Sequence, residues 1–473
     1  MQLSHTCPVA GAVFDDPNLV SAAGLVPVVA LARDAGLRAL TDEHLSVPTD
    51  KGANAGLKVS SLVAGMVAGA DSIDDLALLR HGGMGKVFDA CYAPSTLGSF
   101  LREFSFGHVR QLDAVASRFL LGLAARTPLA TGLDGPVLLD VDDTIVPVHG
   151  HAKQGAGFGY TKVRGLNALI ATLTTGQRAP VIVAQRLRKG SCGSPRGAAR
   201  IVADALATVR RGHRTGIAEA APAQGTVLLR ADSAYYGHAV VNAAARAGAA
   251  VSITVRQDKR VKAAIAAIDE HAWQTIEYTD AVFDQDSGRW ISRAQVAEIE
   301  FTAFISKPKA DQRAGRLVVR RIPELNPKAG NGQSTLFDTW RFHAFFTTSD
   351  PDAMDTVAAD KTHRGHAIIE QVHADLKNSA LAHLPSGKFT ANAAWLVLAC
   401  MAFNLTRAAA TLTGPKLAKA TTATIRRTLI HIPARIATSV RRRTLHLPTA
   451  WPWQHAWTEL FNQTCGPPDR TTA

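Results

Sequence analysis

Apolar residues recur at helical spacing from about Leu25 to Leu79, as in Val59, Leu62, Val63 and Met66, and Ser72-Ile73-Asp74-Asp75 has the form of a capped helix start. A second helical stretch begins near Ser95 and runs through Phe100, Leu101, Phe104 and Leu112 to Leu123. Residues 1–130 therefore read as an all-helical domain, and its helix pairs would suit a helix-turn-helix contact with DNA. After Gly132 and Gly135 the period changes to that of strands. Strands are predicted at 137–142, 167–175, 180–187, 226–232 and 250–255, with helices at 197–211 and 237–247, so 131–255 reads as the first part of an α/β core.

Between 256 and 342 short β-like runs such as 297–304 and 316–322 alternate with the turn-rich pieces Asp286-Ser287-Gly288 and Asn326-Pro327-Lys328. The segment is too long for a loop and lacks the α/β rhythm, so it is predicted as a β-rich domain inserted into the core. The core resumes over 343–412 with a strand at 343–348 and a long helix containing Glu370. Residues 413–473 complete the chain as a basic helical region.

One strand stands out chemically. Val137-Leu138-Leu139-Asp140-Val141-Asp142-Asp143-Thr144 runs from apolar residues into three carboxylates, the form of a buried strand that delivers acids to the end of a sheet. The strand at 226–232 ends on Asp232 in the same way. Asp142 and Asp232 could share divalent ions, and the later helix offers Glu370 as a third carboxylate. His363, His366, His373 and Lys377 lie at −7, −4, +3 and +7 from Glu370, which puts all five on one face of a continuous helix. His366, Glu370 and His373 also have the residue types of a zinc site. Strand alternation sets Asp140 on the same face as Asp142, where it could support the metal ligand.

Charge narrows the partners. The 473 residues include 52 Lys and Arg against 39 acids, a formal charge of +13 that favours a polyanion, with nucleic acid ahead of an acidic membrane surface. From Asp375 to Glu459 there is no acidic residue, and the 83 residues between carry eleven Lys and Arg, among them Arg426, Arg427, Arg435, Arg441, Arg442 and Arg443. A segment of one sign suits a phosphate backbone. Trp451, Trp453 and Trp457 could stack on bases or anchor the segment on the protein. The five cysteines are widely spaced, as reduced thiols rather than a disulfide frame or zinc ligands. The longest unbroken apolar run, 393–403, is short of the roughly 20 residues that span a bilayer, and the start lacks the features of a signal peptide.

The motifs Leu139-Asp140-Val141-Asp142-Asp143-Thr144 with Val148-His149-Gly150, Leu229-Arg230-Ala231-Asp232-Ser233, and Glu370 with Lys377 resemble those of bacterial insertion-sequence transposases of the DDE class. The resemblance is greatest to the thirteen-eighty group, whose ribonuclease-H-like mixed sheet is interrupted by a β-rich insertion. It implies Asp142, Asp232 and Glu370 as a metal-binding triad for two Mg²⁺ ions, with Mn²⁺ able to replace them, and Asp140 and Asp143 as supporting acids. It further implies that Lys377 touches transposon-end DNA. In that family a Tyr and an Arg precede the Glu by seven and four residues; here His363 and His366 stand there, both able to hydrogen-bond phosphate. A Trp just inside the returning strand holds a flipped base in related enzymes, and Trp340 is the nearest candidate. The implied partners are double-stranded DNA, as terminal inverted repeats and target, and a second copy of the chain in a synaptic complex, in the bacterial cytoplasm and away from membranes.

Two other readings start from the same residues. Asp140-x-Asp142-x-Thr144 is also the nucleophile motif of haloacid-dehalogenase-type phosphatases, with Asp140 forming an aspartyl phosphate. A transposon remnant that binds DNA without catalysis would carry the same basic surface.

Overall fold

A computed structural model describes residues 11–88, 90–133, 135–176, 178–214, 227–284, 289–323, 340–439 and 442–466. Strand β1 (Leu19–Val20) precedes the helices α1 (Leu25–Asp34), α2 (Leu37–His44), α3 (Ala55–Val67), α4 (Pro94–Arg102) and α5 (Phe106–Ala124). The core follows with β2 (Val137–Pro147), β3 (Gly157–Phe158), β4 (Arg164–Thr175), β5 (Val181–Lys189), α6 (Ala198–Arg214), β6 (Val227–Ala231), α7 (His238–Arg246) and β7 (Ala250–Thr254). Next come α8 (Lys259–Ala266), β8 (Gln274–Asp284), β9 (Arg289–Ala303), β10 (Arg313–Pro323) and β11 (Trp340–Thr347). The chain closes with α9 (Thr356–Arg364), α10 (Ile368–Lys377), α11 (Phe389–Thr411), α12 (Pro415–Ala418), α13 (Thr422–Ile425), β12 (Ala434–Ser439), β13 (Arg442–His446) and α14 (Gln454–Cys465).

β2 is the centre of the architecture. It pairs antiparallel with β4 along its whole length, and β4 pairs in turn with β5. On its other side β2 pairs parallel with β6, which pairs parallel with β7. The parallel pairing stops at Val141↔Ala231, whereas β2 itself continues to Pro147 against β4. The acids therefore sit in the middle of a strand rather than at its end. They emerge where β2 loses its parallel neighbour.

The segment predicted as a β-rich domain inserted into the core adds strands to the core sheet. β11 pairs antiparallel with β7, β10 with β11, β9 with β10 and β8 with β9, so the inserted strands continue the core sheet from its β7 edge. Unpaired backbone groups along the edge of β7 are satisfied by the returning strand. The turn-rich pieces around Asp286-Ser287-Gly288 and Asn326-Pro327-Lys328 lie outside the described residues.

α11 passes through the centre of the helical half, packed on α3, α5 and β5. It is long and apolar enough by composition to cross a membrane, yet its apolar stretch is buried inside the protein. An all-round apolar helix of this kind is what a helical layer needs when it is covered on every side. Asn404 on α11 bonds both the N–H (2.9 Å) and the carbonyl (2.8 Å) of Ile182, locking the helix to β5.

The C-terminal region differs from the helical reading. Only short helices and one π-helical turn precede a hairpin, β12–β13, whose first strand pairs with β1 in a three-stranded sheet. α14 then packs on α1. The two ends of the described chain thus share one layer, with Trp457 buried and the Trp451 indole N–H donating to the Thr428 carbonyl at 3.3 Å. Of the two uses open to these tryptophans, anchoring is the one observed for both.

Candidate active site

The parallel register of β2 and β6 builds the site in two steps. Asp140 stands opposite Arg230, and Val141 opposite Ala231, so the next positions on the same face are Asp142 and Asp232. Below lies a fully buried ion pair: Arg230 donates from Nε to Asp140 Oδ1 (2.8 Å) and from Nη2 to Oδ2 (2.7 Å). His366 Nδ1 lies 2.8 Å from the same Oδ1. Arg230 Nη1 reaches the Thr362 carbonyl (2.5 Å), tying β6 to the end of α9. Above this clamp are the two carboxylates with less compensation.

Asp142 accepts the Asp143 backbone N–H at 2.7 Å and has His373 Nε2 at 3.6 Å from its Oδ2. Its carboxyl is pushed up to about 7, chiefly by burial, with the charge of Asp232 adding to the shift. Asp232 caps the turn that follows β6, accepting from Ala234 N at 2.9 Å, and its carboxyl is also raised, chiefly by desolvation. Two acids held side by side and both disfavoured as anions form a position that a cation would stabilise.

Asp143 points to the opposite face. It meets the Arg188 guanidinium, Asn167 Nδ2 at 2.9 Å and Ser194 Oγ at 3.3 Å, while Arg188 also donates to the carbonyls of Ser194 (2.8 Å) and Arg196 (2.6 Å). This acid is consumed in holding β2, β4 and β5 together. Tyr160, exposed on the connection after β3, marks the rim; desolvation raises its phenol first, and the charges of Asp143, Asp142 and Asp232 raise it further.

The helix expected to carry His363, His366, Glu370, His373 and Lys377 on one face tightens midway. α9 ends at Arg364, a 3₁₀ turn spans Gly365–Ala367, and α10 starts at Ile368. The five residues have separate surroundings. His363, expected at DNA, is enclosed instead: its ring nitrogens lie 2.9 Å from Ser252 Oγ and 3.0 Å from Thr254 Oγ1, and the ring stacks on Phe345 at 4.1 Å. Burial lowers its pKa to about 3, so it is a neutral packing residue. His366, also expected at DNA, turns inward to Asp140. Glu370 is exposed in the first turn of α10 and makes no hydrogen bond or ion pair among the described residues.

His373 takes an orientation that its spacing from Glu370 does not reveal. It is buried beside Asp142, and neither ring nitrogen has a hydrogen-bond partner. Burial, with Lys377 and His366 nearby, lowers its pKa to about 3. Lys377 ends α10 half-buried, its pKa lowered by desolvation. The zinc grouping of His366, Glu370 and His373 does not form, since each of the three has different surroundings. Among the described residues no group of three or more His, Cys, Asp or Glu side chains converges as a ready-made metal cluster. Asp142 and Asp232 have the chemistry to hold a divalent ion, and the unpartnered imidazole of His373 lies beside Asp142.

The basic C-terminal residues divide in the same manner. Arg426 is drawn inward, donating to the Val67 carbonyl at the end of α3 (3.2 Å). Arg427 is placed over the Trp453 ring, and Arg442 and Arg443 are exposed on β13. Arg441 lies outside the described residues. Trp340 stacks on the Arg321 guanidinium, which lies between it and Trp273 at 4.4 and 4.2 Å, and so serves packing within the extension.

The buried Asp140–Arg230 clamp also removes the phosphatase reading. A nucleophilic aspartate must reach its phosphate, and Asp140 is 0% exposed with both oxygens bonded to Arg230. A mixed sheet of antiparallel β5–β4–β2 continued by parallel β6 and β7, with an acid following the last parallel pair on each of β2 and β6, fits the ribonuclease-H-like class. The family model described as transposase DDE domain group 1 matches residues 5–464, and the chain belongs to this family of DDE transposases. No curated protein matches it.

Proposed function

We propose that the chain is the DNA transposase of an insertion sequence, which cuts the ends of its element and joins them to target DNA. The reaction is hydrolysis of a phosphodiester at each end, followed by attack of the freed 3′-hydroxyl on a target phosphodiester. The observation that supports this best is the pair Asp142 and Asp232, set in register over the buried Asp140–Arg230 clamp. Divalent ions, two Mg²⁺ with Mn²⁺ able to replace them, would supply activation of the attacking oxygen and stabilisation of the leaving oxygen when bound. Asp142, Asp232 and Glu370 would hold them, with Glu370 entering from α10.

The rest of the chain positions these acids. Arg230 and His366 fix Asp140, and Arg188 fixes Asp143, so β2 is pinned from both faces around Asp142. Lys377, Arg427, Arg442 and Arg443 would contact DNA phosphates. Joining two ends calls for two copies of the chain in one synaptic complex. The test is incubation of wild type, Asp142→Asn and Glu370→Gln with DNA carrying the element's terminal inverted repeats and Mg²⁺ or Mn²⁺. Wild type should release cut ends and joined products, and both variants should lose these. Binding of the ends without cutting would mark an inactive remnant, and cutting by the variants would remove these acids from the reaction.

A further inference from the structure

The His373 side chain is only 8% exposed, and both of its ring nitrogens lack partners. A buried polar group without a hydrogen bond is costly, and native proteins retain one chiefly where it has a further use. Asn or Gln at this place would have the same difficulty, and an apolar side chain would pack without it. The imidazole is directed at Asp142: Nε2 lies 3.6 Å from its Oδ2. That separation is too long for a good hydrogen bond. It does match two donors of one ion, since nitrogen and oxygen ligands each about 2.0–2.2 Å from a common metal stand roughly 3–4 Å apart.

We propose that His373 is a nitrogen ligand of the divalent ion held by Asp142, so that this chain has a mixed carboxylate and imidazole site. The inference rests on the reading of Asp142 and Asp232 as metal ligands and adds a donor to it. Glu370, on the exposed side of the same helix, remains available to an ion on the solvent side. The chemistry of the metal follows from the donor. Mg²⁺ takes oxygen ligands, whereas imidazole suits transition ions, so the site should favour Mn²⁺ over Mg²⁺ more than an all-carboxylate site would.

Pulsed electron paramagnetic resonance of the full chain loaded with Mn²⁺ reads the ligand directly. Wild type should show coupling of the metal to a ¹⁴N nucleus that changes to the ¹⁵N pattern when histidine is labelled. His373→Gln should lose the coupling, and Glu370→Gln and His366→Gln should retain it. Titration calorimetry should show His373→Gln losing about tenfold or more in Mn²⁺ affinity and less in Mg²⁺ affinity. Mn²⁺ bound to wild type without histidine coupling would overturn this inference alone, and no folded variant is needed to see that. Coupling that disappears in His366→Gln and survives in His373→Gln would also overturn it. If Mn²⁺ binds equally to wild type and Asp142→Asn, the two-aspartate reading fails and this inference fails with it.

Discussion

Asp140 and Asp142 are separated by one residue and have opposite roles. Asp140 is neutralised from below by Arg230, whereas Asp142, two positions further along the same face, has another carboxylate as its neighbour. Breaking a buried ion pair by removing one charge costs about 3–5 kcal/mol, because the other charge stays buried without compensation. Asp140→Asn should lower stability by that order in urea unfolding. A change within about 0.5 kcal/mol would mean that the clamp does not hold β2 to β6.

His363 has a pH consequence. Its pKa falls from 6.5 to about 3 in the fold, so below pH 6.5 the unfolded chain binds a proton that the folded chain refuses. The stability it contributes is present above pH 6.5 and is lost as pH falls toward 3. Asp142 runs the other way: its raised pKa makes the folded chain hold a proton between pH 3.8 and about 7, so its share of stability declines as pH rises through that window in metal-free protein. Thermal unfolding against pH in chelator should therefore show a less acid-sensitive curve for His363→Gln than for wild type. Asp142→Asn should remove the opposing decline.

Among the elements, the 3₁₀ turn between α9 and α10 packs directly on the Asp140–Arg230 clamp. Gly365 stands where an added Cβ would lie 2.7 Å from Arg230 Nη1. The guanidinium cannot yield freely, since its other nitrogens are bonded to Asp140. Gly365→Ala should cost about 1–3 kcal/mol in unfolding measurements, the usual range for overpacking. It should also reduce DNA cleavage by displacing the Asp140 clamp. Full stability and activity in this variant would show that the turn is not matched to Arg230.

Across the full chain, the formal charge of +13 is shared between arginines that build the protein and arginines that face solvent. Arg426 is of the first kind and Arg442 of the second, while Arg443 is exposed and also donates from Nη1 to the Lys86 carbonyl. Every DNA phosphate deprived of its arginine should reduce the slope of log affinity against log salt by about 0.9. Arg442→Ala with Arg443→Ala should then flatten the salt dependence of DNA binding by up to about 1.8, read by fluorescence anisotropy at several salt concentrations. Arg426→Ala should instead lower stability and leave the slope unchanged. An unaltered slope in the double variant would exclude this hairpin from the DNA surface.

Local order was legible from the chain because it depends on neighbours a few residues apart. The strands and helices of the core lie near where their periods put them, and the two acidic motifs appear as short patterns ending apolar runs. The ion pair of Asp140 with Arg230 was also within reach, since Asp140-x-Asp142 and Arg230-x-Asp232 share a two-residue spacing that parallel pairing turns into a column. Three features were not. The helical face around Glu370 assumed uniform α-helical spacing, and the 3₁₀ turn at Gly365–Ala367, where Gly365 packs against Arg230, changes it. The insertion's strands carried no sign of which edge they would join, because backbone pairing is indifferent to sequence until side chains are buried together. The direction of His373, buried beside Asp142 without a hydrogen bond, depends on how α10 crosses β2, a long-range packing that no local spacing encodes.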